Sequence, residues 1–216
     1  MSTYMEIEEA KKSIIDIGKR MYERDYVAAN DGNISIRIGD NKVLSTPTGV
    51  SKGFMEKETL VVTDLQGNIL SDNAKPSSEL KMHLKIYAEN PNVKSVCHAH
   101  PIYCTALSII SNTLNEPILA ESVISLGGEV PIVPYAKLGS KEVPDSISPY
   151  INTHYGVILS NHGVVTWGSS PLKAYYRIES MEHYAKISII TTLISNNKKY
   201  LSEKEIKDLK EMAFTL

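Results

Sequence analysis

His98-Ala99-His100 closes an apolar run, and a third histidine lies downstream in Asn161-His162-Gly163. Three imidazoles that leave a fourth position free describe a catalytic zinc site better than a closed structural one. The run Val93-Lys94-Ser95-Val96-Cys97 reads as a strand. Residues two apart then point to the same side with Cα atoms about 6.6 Å apart, so both rings of the His-x-His pair reach one ion. By itself such a pair arises often by chance. Its neighbours give it weight.

Glu79 is the candidate carboxylate beside the three rings. It can act as a fourth ligand, as a general base, or as each in turn when substrate displaces it. Its plain alternative is a first-turn glutamate complementing a helix dipole. Three polar segments, Gly32-Asn33-Ile34-Ser35, Thr46-Pro47-Thr48-Gly49 and Pro76-Ser77-Ser78-Glu79, are rich in small donors and together form a candidate phosphate cradle. Hydroxyls, unpaired N–H groups and the positive end of a dipole converge where a helix begins, and Gly49 permits close backbone approach. Taken singly, each segment is an ordinary turn or cap.

The elements that must position these groups are legible from periodicity. Ile14, Ile17, Gly18, Met21 and Tyr22 predict an amphipathic helix from about Glu6 to Arg24. Ile34–Ile38 alternates, turns at Gly39-Asp40-Asn41 and returns through Lys42–Ser45 as a hairpin. Another strand is expected at Leu60–Thr63. After Pro76, Leu80, His83, Leu84 and Tyr87 form one helical stripe, with Ser78 as N-cap and Glu79 in the first turn. Ile102–Ile110 reads as helix, and Glu129–Val133, Gly156–Ser160 and Val164–Trp167 read as strands, the last two tightly connected through His162. Ser170 and Pro171 open a long helix whose buried side carries Ile178, Met181 and Ala185, and Ser202 to Glu205 fits a capping box before a last one. The hairpins imply an α/β protein with an antiparallel or mixed sheet and helices packed on it.

With 216 residues, 42% of them hydrophobic, and no low-complexity linker, the chain is read as one domain over 1–216. A net charge of -2 supplies no basic field, so nucleic acid and anionic membranes are not expected partners. The acidic N-terminus and the lack of any apolar run of about 18 residues argue against a signal peptide or membrane span and for a cytoplasmic location. Cys97 and Cys104 lie in apolar surroundings and are expected to be reduced and buried. His83, His154 and His183 are assigned structural roles, as are Tyr175, Tyr176 and Tyr184; Tyr103 and Tyr135 lie nearer the presumed site.

Asn33, Thr48-Gly49, Ser77-Ser78-Glu79, His98-Ala99-His100 and Asn161-His162-Gly163, in that order between about Ala28 and Ile194, resemble the class II aldolase/adducin family. Within it the branch cleaving sugar 1-phosphates such as L-fuculose 1-phosphate is nearest. The resemblance implies a three-layer α/β/α fold with a central, mainly antiparallel sheet. It also implies a homotetramer with interfacial active sites and one zinc ion per subunit. Carried over by position, it gives His98, His100 and His162 to the metal, Glu79 to acid/base work and resting ligation, and Asn33, Thr48, Gly49, Ser77 and Ser78 to a substrate phosphate. The implied reaction is reversible cleavage of a ketose or deoxy-ketose 1-phosphate to dihydroxyacetone phosphate and a short aldehyde, through an enediolate. The chain departs from this branch at two places. Glu121 stands where its relatives carry a tyrosine, and the sequence ends at Leu216, ahead of a C-terminal tyrosine they use. Within the same family a methylthioribulose-phosphate dehydratase and a pentulose-phosphate 4-epimerase are alternatives. Glu79 disfavours the epimerase, which carries aspartate there. A non-catalytic adducin-like binding module is the remaining one, disfavoured by three intact histidines.

Overall fold

A computed structural model describes residues 4–71, 75–110, 113–195 and 197–213. Eight strands form one sheet: β1 (Asn33–Gly39), β2 (Lys42–Ser45), β3 (Val61–Thr63), β4 (Ser95–Ala99), β5 (Thr113–Leu114), β6 (Val130–Val133), β7 (Gly156–Leu159) and β8 (Gly163–Gly168). Their order is β3-β2-β1-β4-β8-β7-β6-β5, and every pairing is antiparallel except β6 with β7. The helices are α1 (Ile7–Glu23), α2 (Leu80–Glu89), α3 (Ile102–Ile110), α4 (Ala120–Leu126), α5 (Glu142–Ile147), α6 (Pro171–Ile194) and α7 (Glu203–Ala213).

Alternation along the central strands divides the interior into two cores, as period-2 side chains require. Ile34, Ile36, Cys97, Ala99 and Val164 pack against Ile14, Ile17 and Met21 of α1 and Ala174, Ile178 and Met181 of α6. Val96, Val165 and Trp167 face the other way, onto Leu80, Met82 and Ile86 of α2 and Val143 and Ile147 of α5. This is the three-layer α/β/α arrangement. The chemistry-bearing side chains lie at one end of the second face, because Asn33 and Ser35 of β1 and His98 of β4 share the parity of Val96 and not of Cys97. Cys97 and Cys104 are free and fully buried. No described helix is long and apolar enough to cross a membrane.

Several local expectations change. α2 begins at Leu80, so Ser78 is not its N-cap and Glu79 occupies the flanking position. The cap-like contact belongs to Ser77, whose Oγ accepts from the Glu79 N–H at 3.2 Å. Tyr22 is exposed and stacks edge-on with Phe54 instead of joining the α1 core. β5, α4 and α5 carry no strong periodic signal and were not expected. Ser170 does cap α6, accepting from the Lys173 N–H at 3.2 Å, and the Ser202–Glu205 capping box forms reciprocally.

Candidate metal and active site

Each histidine is brought in by a different feature of the sheet. His98 lies on the central strand β4, opposite Asn33 of β1 and Val165 of β8. His100 follows the end of β4, held by its N–H to the Tyr26 carbonyl at 2.8 Å. His162 sits in the β7–β8 turn, where Asn161 adopts a left-handed φ of 56°. Gly163 explains itself sterically: a Cβ there would lie 2.3 Å from the Ala99 carbonyl oxygen and 2.6 Å from a ring carbon of His100. Only glycine lets the turn carrying His162 close onto the strand end carrying the other two rings.

The three rings offer nitrogens that all lie within 4.8 Å of one another. His98 Nε2 and His100 Nε2 are 3.1 Å apart. Two ligands 2.0–2.1 Å from a tetrahedral ion stand about 3.3 Å apart, so this pair has the spacing of two ligands on one first-row divalent ion. Two of the rings are aimed from behind: His98 Nδ1 donates to the Val164 carbonyl at 2.8 Å, and His100 Nδ1 is 3.3 Å from Asp31 Oδ2. Such partners place the proton on Nδ1 and leave the Nε2 lone pair free. Glu79 completes the group, with Oε2 3.3 Å from His98 Nε2 and Oε1 3.2 Å from His162 Nε2.

Electrostatics are those of a ligand set. Burial pulls His100 and His162 down to about 4, keeping both neutral at physiological pH. Burial also opposes a charge on His98, but the adjacent Glu79 carboxylate outweighs it and the net shift is upward. For Glu79, burial alone would raise the pKa; His98, His162 and the Asn33 amide overcome it and hold the carboxyl well below its usual range. Glu79 is therefore an anion next to imidazoles, the arrangement a divalent cation stabilises.

A cavity of 230 Å³ opens beside this group, lined by Thr48, Gly49, Ser77, Ser78, Glu79, His100 and His162, together with Asn30, Asp31, Gly32, Pro47 and Leu138. Gly49 has a φ of +74° with open space around it, so its backbone faces the cavity unobstructed. Asn33 lies behind the lining, 3% exposed, with Nδ2 donating to Glu79 Oε2 at 2.9 Å and to Ser77 Oγ at 3.3 Å. Its observed contacts position two site residues, and its carbonyl oxygen is buried without a partner. The structure thus brings together the three histidines, Glu79 and the small-donor residues Asn33, Thr48, Gly49, Ser77 and Ser78. It adds Asp31, missed because an exposed acidic loop residue carries no signal until the fold sets it behind His100. It also adds Glu182 of α6, buried, which accepts from the Tyr103 and Cys104 N–H groups at 2.9 Å each and fixes the start of α3 directly after His100.

Of the other residues considered, His83 is buried with Nδ1 2.7 Å from Ser35 Oγ, which also meets the Tyr87 hydroxyl at 2.8 Å. His154 meets Thr153 and the Tyr150 ring. Tyr103 lies under the Lys186 ammonium, and Tyr135 is exposed. Glu121 is exposed in the first turn of α4 and does not line the cavity, and Leu216 lies outside the described residues.

An α/β/α sandwich presents three converging imidazoles and a carboxylate above a small polar cavity, a group that could hold a metal ion. The comparisons specify it: residues 12–189 match the Class II Aldolase and Adducin N-terminal domain, and the chain belongs to that family, as one of its carbon–carbon lyases. A 3-oxo-tetronate 4-phosphate decarboxylase from Haemophilus influenzae is 38% identical over 92% of this chain and 95% of its own length. An L-fuculose phosphate aldolase from Methanococcus maripaludis is 40% identical over 82% of this chain and 94% of its own. Among solved structures, YgbL from Klebsiella pneumoniae, a candidate aldolase/epimerase/decarboxylase, superposes with a TM-score of 0.86 at 32% identity, covering 95% and 99% of the two chains. An L-fuculose 1-phosphate aldolase superposes at 0.89 and 26% identity over the whole of both.

Proposed function

We propose that this protein is a zinc-dependent lyase that cleaves the carbon–carbon bond next to the hydroxyketone of a phosphorylated sugar, leaving the enediolate of dihydroxyacetone phosphate. Its first form is the reversible aldolase reaction on a ketose or deoxy-ketose 1-phosphate such as L-fuculose 1-phosphate, with a short aldehyde as the other product. The observation that carries the proposal is the convergence of His98, His100, His162 and Glu79 at the mouth of the Thr48-Gly49 and Ser77-Ser78 cavity.

His98, His100 and His162 would hold a divalent ion, which when bound would supply Lewis-acid stabilisation of the oxyanion that develops on the substrate carbonyl, worth several kcal/mol. The hydroxyls of Thr48, Ser77 and Ser78 and the open backbone of Gly49 hold the phosphoryl group and fix the substrate's distance from the rings. Glu79, anionic and shared between His98 and His162, is the group placed to take the proton from the C4 hydroxyl as the bond breaks and return one to the enediolate carbon. Asn33 keeps its carboxylate turned toward the rings.

A second reading has specific support. A 3-oxo-tetronate 4-phosphate losing its carboxylate as CO₂ leaves the same enediolate, and protonation again gives dihydroxyacetone phosphate. In sequence, the Haemophilus decarboxylase matches over 92% of the chain and the Methanococcus maripaludis aldolase over 82%. Self-association as a homotetramer and a cytoplasmic location belong to the same proposal. Exposed Ile102, Ile109 and Ile110 on α3 and Leu193 and Ile194 on α6 are apolar surface that a second copy would cover.

The test is triose release. Zinc-loaded protein is given each substrate, and dihydroxyacetone phosphate, aldehyde and CO₂ are followed together. Triose with aldehyde supports the aldolase; triose with CO₂ supports the decarboxylase. Turnover of methylthioribulose 1-phosphate to a dehydrated product with no triose from any substrate overturns both.

A further inference from the structure

Lys52 is a charged side chain buried in the core. It opens the short 3-10 turn Lys52–Phe54 after the Thr48-Gly49 loop and is 1% exposed. Its Nζ donates to the Val50 carbonyl at 2.5 Å and the Asn30 carbonyl at 2.9 Å, and among the described residues no carboxylate lies within ion-pair distance of it. A buried ammonium satisfied by carbonyls alone is costly, and burial draws its pKa down to about 8. The two carbonyls are informative. Asn30 lines the anion cavity, and Val50 directly follows the lining residues Thr48 and Gly49.

The cavity lining contains no lysine or arginine but two carboxylates, Asp31 and Glu79, and these are the groups whose charges act on Lys52. A divalent ion on three neutral histidines offsets those two carboxylates and leaves nothing over. A phosphate dianion entering such a site is stabilised by any further positive charge within a short range.

We propose that Lys52 is a positioning residue for anion binding, its ammonium tying the Asn30 and Val50 backbones together behind the cavity and supplying the positive charge that the hydroxyl cradle lacks. The ligand class is a phosphate monoester. This rests on reading the cavity as the phosphoryl pocket.

Methyl phosphate titrated calorimetrically into zinc-loaded protein is the probe. Lys52→Met should weaken its binding about tenfold or more. For whichever substrate is turned over, KM should rise while kcat stays within about threefold, as loss of uniform binding requires. Should Lys52→Met fail to fold, wild-type protein labelled with ¹⁵N-lysine answers the same question, since bound phosphate must shift the Lys52 Nζ resonance. Equal affinity in wild type and Lys52→Met, or an Nζ signal unmoved at saturation, overturns the role of Lys52 and leaves the pocket standing. Methyl phosphate that does not bind wild type, or binds it equally after Ser77→Ala and Thr48→Val, overturns the pocket and this proposal together.

Discussion

Glu79 carries the sharpest consequence at the scale of single residues. In Glu79→Gln the side chain keeps its shape and its contact with Asn33 can be rebuilt, but it no longer exchanges a proton. Turnover should fall by about 10²-fold or more while zinc content, measured by elemental analysis, stays near that of wild type. Wild-type rates in this variant would remove Glu79 from the mechanism. Lys52 gives a pH signature of a different kind. Its ordinary pKa is 10.5 and burial lowers it to about 8 in the folded protein. Between those values the unfolded chain holds a proton that the native chain has released, so this group makes stability rise with pH across that window. The gap corresponds to about 3 kcal/mol. Chemical denaturation at pH 7.5 to 10.5 should therefore show a rise in wild type relative to Lys52→Met, and parallel curves for the two proteins would contradict the assignment.

At the scale of elements, the site depends on how strand ends and helix starts are pinned. Gly163→Ala drives a Cβ into the backbone of Ala99 and the ring of His100. Because a backbone carbonyl is the obstacle, the turn must move, and zinc affinity measured against a competing chelator should fall by about tenfold or more. Unchanged affinity would mean that the His162 turn is not held by this contact. Glu182→Gln replaces an acceptor of two N–H bonds at the start of α3 with a group that can accept only one of them. It should cost about 1–3 kcal/mol in denaturant unfolding, whereas a shift near zero would show the clamp to be dispensable.

The histidines, Glu79 and the small-donor segments were readable because their side-chain chemistry is unusual for their positions and because strands β1, β4, β7 and β8 show clean alternation. Asp31, Lys52 and Glu182 were not. Each is a charged residue of ordinary type whose meaning comes from a partner distant in sequence or from a backbone carbonyl, and neither leaves a trace in periodicity. The same holds for α4 and α5, short segments with Gly-Gly or Pro nearby, and for the cap of α2. There Ser77 and Ser78 are equivalent on paper, and only the path of the chain selects Ser77.

For the whole molecule, the sheet acts as a rigid frame that brings residues from the 30s, 70s, 90s and 160s to one end. Bound metal would therefore tie together three separate stretches of chain, around Glu79, His98–His100 and His162, and it should stabilise the fold by linkage, since an ion that binds only the native state shifts the unfolding equilibrium. Chelation should lower the melting temperature and abolish turnover, and zinc should restore both. A chelated protein with unchanged melting temperature and full activity would not fit. The central claim is that one ion sits on these three rings. Diffraction data collected on either side of the zinc absorption edge from crystals of the purified protein test it most directly. The account predicts one anomalous peak per chain, about 2.0–2.1 Å from nitrogens of His98, His100 and His162. A zinc-loaded crystal with no peak there, or with its peak bound elsewhere, would contradict it.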